Sequence, residues 1–529
     1  MSSSEGAIQV AEARAVAGHD VKLTGDLPWL TEIENVDIDS EYDTILNAVQ
    51  STPGLRSENN LIEIVINAST DFISLDRSFI NVRAHTVSAL AANGATSVKL
   101  VETSADSLWE RIVLLANDVV VGSAENYTIG SFLASLVQYS SDSTSSAEGM
   151  YLASSNYMPA AAGTFIPEIT VDDSTYDCAG PADTRTYSNP YAVGGITTIN
   201  QSLSLISPNT YTRHQMANIS NGLTTSSPFN ISFQPNLGMW QQPRLIPPGT
   251  NLRLQLYRAS DAFCVNSNNS PAGLNAQIYI EQISASVHYL RPTESARQAY
   301  LDRWRSLESV VGLKGAVYYN VDRFRMFFGS SIAPALTGTN INMNSFYTGK
   351  KPLWALVTFV NTSALSAGTF ASTQSALSFR SFFNYDAGVS APRIMWSATA
   401  NTVNMNINGI PVRSRAFGDP ASDPTCYREY LALCKASSSR SVLLNESHGL
   451  MKPNYAIGYP FWVFRFGDAV GSADMQQESI DVSLDFFATI TTHAIPPNAI
   501  DFSGLTPVVY LQMAEGVAAD ASGMWSSTF

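Results

Sequence analysis

Asp481 and Asp485 are the nearest approach in this sequence to a catalytic pair. In the run IDVSLDFF they share one face of a strand, opposite Val482, Leu484 and Phe486. Two carboxylates flanking a glycosidic bond make a hydrolase when they stand ~5–9.5 Å apart. At ~3.3 Å of rise per strand residue this pair is separated by ~13 Å, so it fails, and a partner would have to come from a neighbouring strand. A second carboxylate row, Asp37, Asp39 and Glu41, alternates in ENVDIDSEYD. It could hold a cation, but a solvated acidic strand or loop is the better account of it. The histidines His19, His85, His214, His288, His448 and His493 are scattered singly, and His85 and His288 fall on strand-like runs where packing explains them. Cys178, Cys264, Cys426 and Cys434 form no CxxC and have no His at metal-ligand spacing. TGKKP at Thr348 lacks the upstream glycine and the following Ser/Thr of a phosphate-binding loop, and neither HExxH nor GxSxG occurs. No catalytic, cofactor-binding or metal residues are assigned, and no enzyme is expected.

The elements that would carry any site are mostly strands. LIEIVINASTDFISLDRSFINVRAHTV alternates through Ile62, Ile64 and Ile66, then supplies a second strand from Phe79 to Val87. LWERIVLLANDVVVG reads as two strands across an Asn117-Asp118 turn. YTIGSFLASLVQY follows as a short helix, with Thr128 as cap and Ile129, Phe132, Leu133, Leu136 and Val137 on one face. Ser140 to Asn230 is a Ser/Thr/Asn/Gly/Pro-rich excursion of about 90 residues, too long for an ordinary connection. NLRLQLYR and AQIYIEQISASVHYL close this half.

Between Arg291 and Gly312 one stretch is plainly helical. Ala296, Tyr300, Trp304, Leu307 and Val311 stack on one face, Thr293 caps the start and Gly312 ends it. Beyond it the same order returns. AVYYNVDRFRMFFG and KKPLWALVTFV are strands, NTVNMNINGIPV is a hairpin across Asn408-Gly409, and DPTCYREYLALCK is a helix opened by Asp423 and Pro424. YPFWVFRFG and ESIDVSLDFFATITTHA are expected to match the two closing strands of the first half. The reading is an internal duplication of about 200 residues. It divides the chain into an N-terminal arm (1–59), a first sandwich (60–290, with an insertion at 140–230), a hinge helix (291–312), a second sandwich (313–495) and a C-terminal arm (496–529).

The length of 529 residues exceeds one hydrophobic core. Charged residues make up 14%, against the ~25% of an ordinary soluble domain, which suits equally a surface largely covered by copies of itself and a chain with long Ser/Thr/Asn-rich loops. A net charge of −15 excludes nonspecific nucleic-acid binding by the whole surface. Locally the balance reverses: from Arg291 to Arg325 there are seven basic residues against four acidic. The insertion has no Lys and carries Asp172, Asp173, Asp177 and Asp183. The N-terminus lacks the basic and apolar regions of a signal peptide, and no apolar run reaches the ~20 residues of a membrane span. The sequons at Asn126, Asn218 and Asn230 are therefore read as chance matches, the thiols as free, and the chain as made in cytoplasm or nucleus rather than secreted.

The segments resemble a known family. SENNLIEIVINASTDFISLDRSFINVRAHTV, LWERIVLLANDVVVGSAENYTIGSFLASLVQYSSD and LIPPGTNLRLQLYRASDAFCV are similar to successive first-half segments of the double jelly-roll major capsid proteins of DNA viruses. In the second half YTGKKPLWALVTFV, NMNINGIPV and CYREYLALC resemble that family's strand, hairpin and helix. The nearest group is that of polinton-like viruses, adintoviruses, virophages and adenovirus-type hexons. The resemblance implies an all-β chain of two tandem eight-stranded jelly rolls. It implies a homotrimeric, pseudo-hexagonal capsomer that tiles an icosahedral shell in the virion, with penton and minor capsid proteins as further partners and outer loops towards the host surface. The alternative is a glycan-binding β-sandwich attachment protein.

Overall fold

The computed structural model describes residues 38–49, 61–87, 98–100, 105–138, 228–241, 244–259, 265–267, 277–299, 316–332, 339–361, 402–412, 415–416, 461–466, 481–490, 505–520 and 524–527. The first half holds β1 (Ile38–Asn47), β2 (Leu61–Ile66), β3 (Phe72–Val87), β4 (Val98–Leu100), β5 (Trp109–Ala116), β6 (Val119–Glu125), the helix α1 (Tyr127–Gln138), β7 (Phe229–Phe233), β8 (Leu252–Arg258), β9 (Val265–Ser267) and β10 (Gln277–Pro292). The second holds β11 (Ala316–Phe328), β12 (Thr339–Lys350), β13 (Trp354–Asn361), β14 (Thr402–Ile407), β15 (Ile410–Pro411), β16 (Arg415–Ala416), β17 (Trp462–Arg465), β18 (Asp481–Ile490), β19 (Leu505–Asp520) and β20 (Trp525–Ser527).

Alternation makes these runs strands. β2 buries Ile62, Ile64 and Ile66 completely, and β18 buries every second residue from Val482 to Ile490. The strands pair into two sheets per half. The first half has the orders β1-β10-β3-β7 and β2-β8-β5-β6; the second has β11-β19-β13-β17 and β12-β18-β14-β15. Position for position these are the same two orders, each pair of sheets the strand order of an eight-stranded jelly roll. The duplication extends to single hydrogen bonds. At both hairpins the two turn residues are left-handed, Asn117 and Asp118 at φ 46° and 66°, Asn408 and Gly409 at 51° and 78°, the geometry that matches strand twist. Each turn asparagine then bonds the neighbouring strand. Asn117 Oδ1 accepts from Asn251 N and Asn408 Oδ1 from Ser483 N, both at 2.8 Å.

The structure corrects the expected arms. Ile38–Asn47, assigned to an N-terminal arm, is β1, paired along its length with β10. Leu505–Asp520, assigned to a C-terminal arm, is β19, held in the second sheet between β11 and β13. The closing strands of the second half shift accordingly. β18 is the counterpart of β8 rather than of β10, and β17 is the counterpart of β7. The 140–230 segment is shortened at its end, since Phe229 begins β7. Thr128 is not the cap of α1, because its hydroxyl donates to Trp109 O at 2.8 Å. The first turn closes instead on the carbonyl of Asn126, which accepts from Ile129 N and Gly130 N.

Of the hinge helix, residues 294–299 are described. Thr293 caps them as expected: its Oγ1 accepts from Ala296 N at 3.3 Å and its carbonyl from Arg297 N at 2.8 Å. Ala296 is buried. Tyr300, Trp304, Leu307, Val311 and Gly312 lie outside the described residues, as do the expected helix at 423–435, the four cysteines and His19, His214, His448 and His493.

Strand direction gives the molecule two unlike ends. Antiparallel strands alternate, so the connections β2–β3, β5–β6, β12–β13 and β14–β15 all turn at one end, within five residues or fewer (67–71, 117–118, 351–353, 408–409). The link from β10 to β11, the stretch before Ile38 and the stretch after Asp520 leave from that end too, because Ile38 pairs with Pro292 and Asp520 with Ala316. The connection from α1 to β7 leaves from the opposite end.

Candidate functional site

The expected chemistry disperses. Asp481 is exposed, and Asp485 Oδ1 accepts Ser345 N at 2.7 Å, capping the irregularity where β12 shifts register against β18. His85 binds Glu281 at 2.9 Å, a carboxylate also held by Arg83 at 2.8 Å, and its ring lies against Tyr279. His288 sits over β1, with Nδ1 at 2.8 Å from Asp43 and Nε2 at 3.6 Å from Glu41. Of the acidic row, Glu41 also meets Arg77 at 3.5 Å, and Asp37 lies outside the described residues. Among the described residues no group of three or more His, Cys, Asp or Glu is placed to hold a metal ion, and no helix is long and apolar enough to cross a membrane.

Two buried carboxylates escaped the sequence reading, because neither belongs to a motif. Asp71 is 5% exposed and takes the hydroxyl of Tyr42 at 2.7 Å and the guanidinium of Arg291 at 3.0–3.3 Å. Burial raises its pKa, but the bonds from Arg291 and Tyr42 outweigh burial and hold it below the ordinary carboxylate value. The cluster pins edge strand β1 to the rest of its sheet, where Tyr42 also stacks on Tyr289 at 5.2 Å. Asp106 is 2% exposed and accepts the Tyr127 hydroxyl at 2.7 Å. Without a neighbouring cation, burial pushes its pKa up to about 7.

The most developed surface in the chain is the joint between its two jelly rolls. β6 lies against both β11 and β20. Tyr319, Val321, Val517, Ala519 and Trp525 belong to second-half strands yet are buried in the first core, where Tyr319 stacks on Trp525 at 5.5 Å. In exchange, Ile129 and Leu133 of α1 are buried in the second core. Each sandwich is thus completed by the other. Three contacts fix the relative direction. Tyr319 Oη donates to Leu245 O at 2.9 Å, Arg323 to Ser123 Oγ at 3.2 Å, and Met326 lies over Gly130. Ascending β11 therefore means ascending the first jelly roll, and the two stand side by side with the same end up. A small cleft remains between them, lined by residues that include Ser123, Tyr127, Arg323 and Phe324.

Two matched sandwiches of jelly-roll order, parallel and sharing cores, constitute a double jelly-roll protein. The comparisons with solved structures agree. A chain of the Sputnik virophage structure matches with a TM-score of 0.55 at 11% identity, over 96% of this chain and 91% of that one. VP54 of PBCV-1, fitted into a reconstruction of the virophage Sputnik, matches at 0.50 and 10% identity, over 93% and 97%. No family model matches the sequence, and no curated protein matches it. The chain has the double jelly-roll fold, shared with the Sputnik and VP54 chains at 10–11% identity.

Proposed function

We propose that this chain is the major capsid protein of a double-stranded DNA virus, three copies of which form a pseudo-hexagonal capsomer of an icosahedral shell. The observation that carries this is the joint. Two like jelly rolls standing parallel and sharing cores make a stiff block with one face at each end, which is what a wall unit requires. Its fold is shared with the Sputnik virophage chain, its segments resemble the major capsid family, and its low charge suits extensive self-contact. Partners are further copies of the chain, with penton and minor capsid proteins at specialised positions; the location is the virion, after synthesis in host cytoplasm or nucleus. No reaction is assigned. The glycan-binding alternative gains no support from the fold comparison.

The two ends orient the wall. The acidic, lysine-free segment between α1 and β7 leaves from one end, and the basic link after Pro292 leaves from the other. An acidic projection is a poor neighbour for packaged DNA, so it faces outward, towards the host, and the short-turn end faces inward. Limited proteolysis of intact particles is expected to cut within 140–228 first. Protection there, with early cleavage around Arg297–Arg305, inverts the orientation. The function itself is tested by electron microscopy of purified protein at high concentration. Six-lobed particles packing into hexagonal sheets or shells support it; unordered two-lobed particles count against it.

A further inference from the structure

The small cleft at the joint is walled by both jelly rolls. Ser123 of β6 and Gly130 of α1 line it from the first, and Arg323, Phe324 and Met326 of β11 with Tyr510 of β19 line it from the second. The lining is mainly apolar. Phe324 stacks on Tyr510 with ring centroids 4.9 Å apart, and Met326 Cε stands 3.4 Å from the position a Cβ on Gly130 would take. A mainly apolar recess with a few placed polar groups is the usual make-up of a small-molecule site, and such sites favour domain interfaces.

Two polar features separate this recess from an imperfectly closed seam. The first is Asn236, which lines it and is only 9% exposed. Its backbone N donates to the Tyr127 hydroxyl at 2.7 Å and its Oδ1 accepts from Gln241 at 3.2 Å, but its Nδ2 has no partner among the described residues. Buried amides are normally satisfied, so this donor is left for something the chain does not supply. The second feature is charge. Arg323 and Glu125 are the charged residues of the lining, and Arg323 is anchored by donating to Ser123 Oγ at 3.2 Å. Glu125 is 73% exposed and is already faced by Arg111 at 4.0 Å. Two guanidinium groups against one carboxylate leave one positive charge in excess.

An apolar body with a single anionic head matches this inventory. A guanidinium takes a carboxylate through paired N–H donors, and aromatic and thioether side chains accept a ring or a short chain. We propose that the cleft between the jelly rolls binds a small monocarboxylate, its head held by Arg323 and Asn236 Nδ2 and its apolar body lying against Phe324, Met326 and Tyr510. A ligand seated there touches both jelly rolls at once and pins the joint. The site lies within one chain, so it stands apart from the capsomer reading.

Benzoate is the probe, added to the full chain carrying methyl-labelled methionine. The Met326 signal, assigned by its loss in Met326→Leu, is expected to move saturably, while that of Met524, 68% exposed and outside the cleft, stays in place. Benzyl alcohol has the ring without the charge and should bind about tenfold or more weakly, the loss expected for a hydrogen bond to a charged group. Arg323→Met keeps an apolar stem and should lose affinity for benzoate by the same factor. Benzoate should also raise the unfolding midpoint of the wild type by mass action and leave that of Arg323→Met nearly unchanged. If Arg323→Met fails to fold, the comparison of benzoate with benzyl alcohol on the wild type decides alone. A Met326 signal that benzoate leaves unmoved overturns the site. Equal affinity for benzoate and benzyl alcohol overturns the carboxylate assignment.

Discussion

Trp525→Ala is expected to lower the stability of the whole chain by about 3–5 kcal/mol, the range for truncating a buried aromatic side chain. Trp525 is 5% exposed and stacks on Tyr319, yet it is carried by a strand of the second jelly roll and packs in the core of the first. Its loss opens a cavity on the side of the joint opposite to its own sheet. Leu133→Ala does the reverse. This fully buried side chain of α1, from the first half, completes the second core, and about 2–5 kcal/mol should be lost. Because the cores are exchanged, both variants should lower a single cooperative transition seen by calorimetry. Two transitions, each moved by only one of the substitutions, would show that the jelly rolls are independent domains and that the shared core contributes little.

The second large effect is a dependence on pH with one named source. Asp106 has its pKa raised to about 7 by burial, whereas the unfolded chain ionises it near the ordinary carboxylate value. Between those values the native state holds a proton that the unfolded state has released, so stability falls as pH rises and levels off above the folded pKa. The window spans about three pH units, equivalent to about 4 kcal/mol at 1.36 kcal/mol per unit. Asp106→Asn keeps an oxygen that can accept the Tyr127 hydroxyl and removes the charge. Its unfolding midpoint should match the wild type's near pH 3, below the ordinary carboxylate value, and exceed it by a growing margin up to pH 8. Asp71 works in the opposite sense. Its depressed pKa makes its contribution present at neutral pH and lost as pH falls through the folded value. Equal midpoints for wild type and Asp106→Asn at pH 8 would mean that the buried carboxylate is ionised without cost.

Much of the fold was legible in the sequence because it rests on local rules. Alternation at Ile62, Ile64 and Ile66, the Asn-led turns at 117 and 408, and the cap at Thr293 all depend on neighbours a few residues away. β1 and β19 were missed for opposite reasons. β1 is an edge strand whose outward Asp39, Glu41 and Asp43 hide a half-buried inner face of Ile38, Tyr42 and Leu46. β19 carries VVYL, buried on both faces, so it shows no alternation to read. Missing β19 displaced the matching of β17 and β18 by one strand. The joint was not legible at all. Nothing local distinguishes a Trp525 that fills another domain's core from one that fills its own, and Asp71 meets Arg291 across 220 residues of chain.

The central claim is a wall unit that exists as three chains, and its most direct measurement is the native mass of the wild-type protein at micromolar concentration. Contacts of the obligate class, burying above ~2,000 Å², should give a single species of three times the chain mass that persists on dilution. A species at one chain mass under the same mild conditions would contradict the account.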